Sequence, residues 1–216
     1  MYKDVKKKLL SVALCICMVI GAVQVVPRAK AAATVNGNKV TVTGNNPSGK
    51  KESYTIVLSQ MDALTYNGEP QQPIYQYVED SNGKMVEGSD RWSLKGTGTD
   101  AGTYTCYLDV DQNNNPKGYV FKQEDTTFDF TIKKATIASL DSGKVTKPVL
   151  WQGEKGSVPT LNEVRATLES GPTVTLKADQ YKLVPQTGTG PKTTTLTVTD
   201  EKNFEKYTET ESVKYT

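Results

Sequence analysis

The run from Asp100 to Val110, Asp-Ala-Gly-Thr-Tyr-Thr-Cys-Tyr-Leu-Asp-Val, constrains the fold of this 216-residue chain more than any other. Gly102 supplies a bend, and the side chains then alternate. Tyr104, Cys106, Leu108 and Val110 fall on one face; Thr103, Thr105, Tyr107 and Asp109 fall on the other. That period of two belongs to a strand with one buried face. Such a strand lays its apolar side against a second layer, so the pattern calls for a β-sandwich.

The rest of the chain repeats this kind of signal. Thr34–Thr43 reads as a hairpin with Asn36-Gly37 as its turn dipeptide, and 44–49 as a loop. Tyr54–Ser59 is a strand with Tyr54, Ile56 and Leu58 on one face. Asn67-Gly68 is a turn, and Pro70 and Pro73 limit the edge that follows. Ile74–Val78 and Met85-Val86 flank a second hairpin turn, Asp80–Gly83. Trp92–Leu94, Tyr119–Phe121 and Phe128–Ile132 complete a first set of strands. Further on, Thr146–Trp151 and Thr173–Leu176 read as strands. Leu161–Leu168 is either a helical turn, with Leu161, Val164 and Leu168 on one face, or a connecting loop. Short strands at turn-punctuated intervals, almost without helical periodicity, predict an all-β fold.

An internal repeat divides the chain. Trp92-Ser93-Leu94 matches Tyr181-Lys182-Leu183 at an offset of 89, and Leu108-Asp109-Val110 matches Leu196-Thr197-Val198 at 88. Tyr119 matches Tyr207 at 88. The one-residue slip falls in the turns 96–99 and 187–190, where a deletion costs little. The spacing predicts two domains, 32–134 and 135–216, joined at Lys133-Lys134-Ala135. No flexible linker composition separates them, so strand feeds into strand and the tandem is stiff.

Residues 1–31 read as an export signal outside the fold. Lys3, Lys6, Lys7 and Lys8 precede an apolar segment, Leu9–Val26, and Ala29-Lys30-Ala31 is an A-x-A cleavage site. The alternative is a retained membrane anchor. Leu14 and Ile16, before Cys15 and Cys17, are wrong for lipidation. The leader holds six of the 26 basic residues and one of the 24 acidic ones, leaving 20 against 23, a net of −3. The basic balance therefore belongs to the leader, and no nucleic-acid surface follows from it. The expected location is secreted or at the cell surface. The chain shows no C-terminal sorting motif, so release or retention of the leader are the two routes. A fragment of a longer array is a further reading.

The mature chain keeps one cysteine, Cys106, on the inward face as a small hydrophobe. An exported chain without disulfides fits Gram-positive surface proteins. With no histidine in the chain, Ser-His-Asp and Cys-His catalysis and His-ligated zinc are excluded. No nucleophile elbow or phosphate-binding glycine loop occurs, so no enzyme activity, cofactor or metal is expected. Asp109-x-Asp111-x-Asn113-x-Asn115 spaces oxygen ligands as calcium loops do. However, Asn114 stands where glycine is needed and Val120 where the bidentate glutamate belongs, which leaves a polar hairpin loop. A Lys–Asn isopeptide bond would use Asn113 or Asn203, yet no spacing selects a lysine. Tyr75 and Tyr77, placed on one face by alternation, together with Trp92, Tyr107 and Tyr66, are the candidates for stacking on a sugar or a protein.

Asp100–Cys106 resembles the D-x-G-x-Y-x-C strand of vertebrate-type immunoglobulin domains, in which the tyrosine forms a corner. The partner cysteine is missing, and Trp92 lies too near Cys106 to be that family's core tryptophan. The chain is more similar to the bacterial immunoglobulin-like repeats of the MBG type. Leu64–Pro73 resembles their opening Tyr-x-Gly turn, Ala101–Thr105 their Ala-Gly-Thr-Tyr strand, and Phe130–Ile137 the handover between repeats. The resemblance covers about 53–137 and, more faintly, 138–216. It implies tandem immunoglobulin-like sandwiches with an adhesive or structural role and no catalytic residues. The leading expectation is adhesion or protein–protein contact; the alternatives are a passive spacer or scaffold, and carbohydrate binding. The partner would be a protein or glycan at the cell surface or on a host, with a membrane involved only if the leader is retained.

Overall fold

Alternation along the chain is realised as antiparallel sheets. The computed structural model describes residues 33–61, 64–143, 145–147, 160–185, 192–205 and 211–215. The export signal expected at 1–31 lies outside them. Strands β1 (Thr34–Asn36), β2 (Lys39–Asn45), β3 (Lys51–Ser59) and β4 (Ile74–Glu79) form one sheet in that order. Strands β5 (Ser93–Lys95), β6 (Gly102–Asp109) and β7 (Phe128–Ile132) form a second. In the later half, β8 (Ile137–Asp141), β11 (Val164–Leu168) and β12 (Thr173–Leu176) form a sheet of order β12-β11-β8, and β9 (Val145–Lys147) pairs with β10 (Thr160–Leu161). Strands β13 (Tyr181–Pro185), β14 (Lys192–Val198) and β15 (Glu211–Tyr215) form the last sheet. Among the described residues, helix is limited to one turn at Gln123–Thr126 and two 3-10 turns. None is long and apolar enough to cross a membrane. The chain is all-β, as the sequence predicts.

The first two sheets pack as layers. Val40, Val42, Tyr54, Ile56, Leu58 and Val78 come from one; Leu94, Cys106, Leu108, Phe128, Phe130 and Ile132 come from the other. All lie in one continuous core and none is more than 5 % exposed. Each such side chain contributes roughly 1.5–3 kcal/mol by leaving water. Aromatic rings close one end. Phe121 meets Tyr54 edge-on at 5.0 Å and Trp92 at 5.7 Å. Strand β4 ends its sheet, and Ser89 covers part of that edge. The Ser89 hydroxyl accepts from the Val78 N–H at 3.1 Å and donates to the Val78 carbonyl at 3.3 Å. A side chain thus supplies the hydrogen bonds a neighbouring strand would have made.

Two local expectations change, and a third is described only in part. The first hairpin pairs Asn36 with Lys39, so its two-residue loop is Gly37-Asn38, one step later than Asn36-Gly37. Gly37, at φ 56°, takes the first central position, where a type II′ turn demands positive φ. The segment 161–168 is neither helix nor loop but contains β10's end and β11, with Val164, Ala166 and Leu168 buried and Arg165 exposed. Of the strand expected at Thr146–Trp151, the described residues show β9; 148–151 lie outside them.

The repeat spacing reappears as strand register. In the β5–β6 pair, Ser93 faces Asp109 and Leu94 faces Leu108. In the β13–β14 pair, Lys182 faces Thr197 and Leu183 faces Leu196. These are the residues that the offsets of 89 and 88 align. Tyr207 and the turn 187–190 lie outside the described residues.

Candidate functional site

The five aromatic candidates do not share a surface. Strand β4 bulges against β3: Val57 faces Tyr77 but Leu58 faces Tyr75. Paired residues point to the same side. Tyr75 therefore goes inward with Leu58 and packs on the core, while Tyr77 goes outward with Val57. Simple alternation fails because the bulge adds a residue. The Tyr75 hydroxyl donates to the Ser89 carbonyl at 2.5 Å. Trp92 is 4 % exposed and its indole N–H donates to the Asn114 carbonyl at 3.0 Å, so it offers no free ring face. Tyr107 sits opposite Lys95 on the outer face of β6, half-buried. Tyr77 and Tyr107 thus lie on the outer faces of two different sheets. Tyr66 is 5 % exposed.

The oxygen-bearing side chains Asp109, Asp111 and Asn115 are engaged by protein partners. Asp109 pairs with Lys95 at 2.9 Å. Asp111 accepts from the Asn114 amide and from the Asn113 N–H at 2.9 Å, contacts that hold its carboxyl below the usual range. Asn115, buried, accepts from the Tyr119 N–H at 2.9 Å and donates to the Tyr119 carbonyl at 2.7 Å. Cys106 is fully buried, and burial pushes its thiol up to about 12, far from a reactive thiolate. Asp200, Glu201 and Glu205 help line a cavity of about 260 Å³ with Thr197, Val198, Thr199 and Phe204. Among the described residues, no three His, Cys, Asp or Glu side chains converge to hold a metal.

A polar cluster lies where the earlier and later halves meet. Beyond β7 the chain stays extended. Lys133 donates its N–H to Leu64 at 2.9 Å and its carbonyl accepts from Tyr66 at 2.9 Å. Two residues on, Ala135 donates to Asn203 at 2.9 Å and accepts from Glu205 at 2.8 Å. Around this joint Asn203, 4 % exposed, uses its whole amide. Its Oδ1 accepts from the Ala101 N–H at 2.8 Å; its Nδ2 donates to Asp200 at 2.9 Å and to Asp100 at 3.2 Å. Lys202 donates to Asp100 at 2.5 Å. Beneath them the Tyr66 and Phe204 rings meet edge-on at 5.3 Å, and Tyr66 shares a hydrogen bond with Gln180. Gly68 turns at φ 83°, and a Cβ there would come within 3.2 Å of Val174. The Asn203 amide is engaged by carboxylates and a backbone N–H rather than by a lysine, so its contacts do not set up an isopeptide bond.

Sequence reasoning placed the joint at 133–135 but missed Asp100, Asp200 and Lys202, and it took Asn203 only as an isopeptide candidate. One signal was available: Asn115 and Asn203 are 88 residues apart, the repeat offset. Comparison of the chain with protein-family models, with curated proteins and with solved structures finds no match.

Proposed function

We propose that the chain is an exported, non-catalytic protein made of two immunoglobulin-like sandwiches of the MBG type, and that its work is structural. It would hold surfaces at a set separation and orientation outside the cell. The observation that carries this reading is the joint: hydrogen bonds, an ion pair and an aromatic contact cross it on several sides, with no slack segment between β7 and β8. The leader sequence supports export, and the lack of histidine supports a non-catalytic role. The scattering of Tyr75, Tyr77, Trp92 and Tyr107 removes the single aromatic platform a sugar site would need.

Adhesion or protein–protein contact is the second reading. It is favoured by Tyr107, half-exposed beside Lys95 and Asp109 on an outer sheet face. The test is retention of residues 31–216, which form one compact unit, on peptidoglycan, mucin and matrix proteins. A folded, monodisperse protein that none of them retains supports the spacer. Retention lost on Tyr107→Ala supports adhesion and sinks the spacer.

A further inference from the structure

The contacts across the joint do more than orient. Phe204 and Leu196 are the large, almost fully buried side chains that the last sheet and the turn after β14 contribute among the described residues. Phe204 is covered by Tyr66, and Val174 of β12 lies against Gly68. Both Tyr66 and Gly68 belong to the turn before β4. The later half thus completes part of its core with residues of the earlier one. The polar shell shows the same dependence. Asn203 is buried with three hydrogen bonds, and two of them, to Ala101 and Asp100, reach into the earlier half. Separating the halves would bare the Phe204 ring and leave that amide short of partners.

We propose that the turn 200–204 couples the two halves into one cooperative folding unit, so that the earlier half stabilises the later one across the joint. This does not rest on the structural role given above and would hold equally for an adhesive protein.

The test changes the earlier half and reads the later one. The Asp100 side chain is 41 % exposed and touches Lys202 and Asn203 rather than the core of its own half. Asp100→Lys should set two cations against each other, and Lys202→Asp in the same chain should restore the pair. Residues 31–216 are followed by amide hydrogen exchange and calorimetry. The unmodified protein is expected to melt in one transition. With Asp100→Lys, amides of 174–176, 181–184 and 203–205 should exchange about tenfold faster or more, the scale of a lost charge-assisted hydrogen bond. The double exchange should recover most of that. Changes confined to 98–104, two independent transitions in the unmodified protein, or no recovery in the double exchange would each overturn the coupling. Asp100→Ala provides the same reading if Asp100→Lys does not fold.

Discussion

The turn holding Asn115 and the turn holding Asn203 stand 88 residues apart and follow strands of matching register, β6 and β14. Both asparagines are buried, yet they satisfy their amides differently. Asn115 closes on its own loop through both polar groups of Tyr119. Asn203 keeps one bond at home, to Asp200, and sends two to Asp100 and Ala101. A buried amide must be satisfied, but nothing dictates from where. The first arrangement makes a self-contained end; the second makes a joint. One side-chain type at one repeat position is thus a loop staple in one half and a connector in the other.

Substitutions that break this comparison are expected to differ in reach. The largest effect belongs to the strands themselves. Leu108→Asp puts a charge in the core and should unfold the earlier half, visible as loss of the β signal in circular dichroism; a folded Leu108→Asp would refute the register of β6. Leu108→Ala and Leu196→Ala should each cost about 2–5 kcal/mol in denaturant unfolding. Next come the two asparagines. Asn203→Ala orphans the Ala101 N–H and leaves Asp100 and Asp200 without their shared donor, a loss of about 2–3 kcal/mol felt in both halves. Asn115→Ala should cost about 1–2 kcal/mol and disturb amide exchange only near 111–121. Equal reach for the two would erase the distinction.

A smaller effect comes from acid. Lys202 first, then Asn203, holds the Asp100 carboxyl below its usual range. Lys177 adds favourable charge, while Asp200 bears the same sign and also faces Asn203. Tyr66 nearby, its hydroxyl pKa raised by burial, is neutral over this range. Because the folded-state pKa is depressed, the contribution is fully present above the unfolded value, about 3.9. It is lost as pH falls through the folded value. Exchange at 203–205, corrected for its intrinsic pH dependence, should speed up below about pH 4 and stay level between pH 5 and 8. The smallest effect is expected on the outer faces. Tyr77→Ala with Tyr107→Ala should change stability by less than about 1 kcal/mol, while abolishing any retention on a bait that those rings mediate.

Much of the layered fold was legible because it is local. Tyr54, Ile56 and Leu58, and Cys106 and Leu108, announce buried faces by alternation, and Asp80–Gly83 announces its turn by composition. Val164–Leu168 alternates too, but Leu161, Val164 and Leu168 also fit helical spacing; only the pairing with β8 and β12 settles five residues as strand. Alternation puts Tyr75 and Tyr77 on one face because a bulge in β4 leaves no mark in its own sequence. The contacts across the joint were least legible. Asp100 and Asn203 are ordinary turn residues wherever they stand, and their contact depends on how two distant turns meet.

The most direct test of a fixed joint is a distance distribution between spin labels at Lys84→Cys and Glu169→Cys, both exposed and one in each half. Cys106, buried with its thiol pushed up, should stay unlabelled. A single narrow distribution that broadens in Asn203→Ala is the result expected of a joint held by Asn203. A broad distribution in the unmodified protein, unchanged by Asn203→Ala, would contradict it.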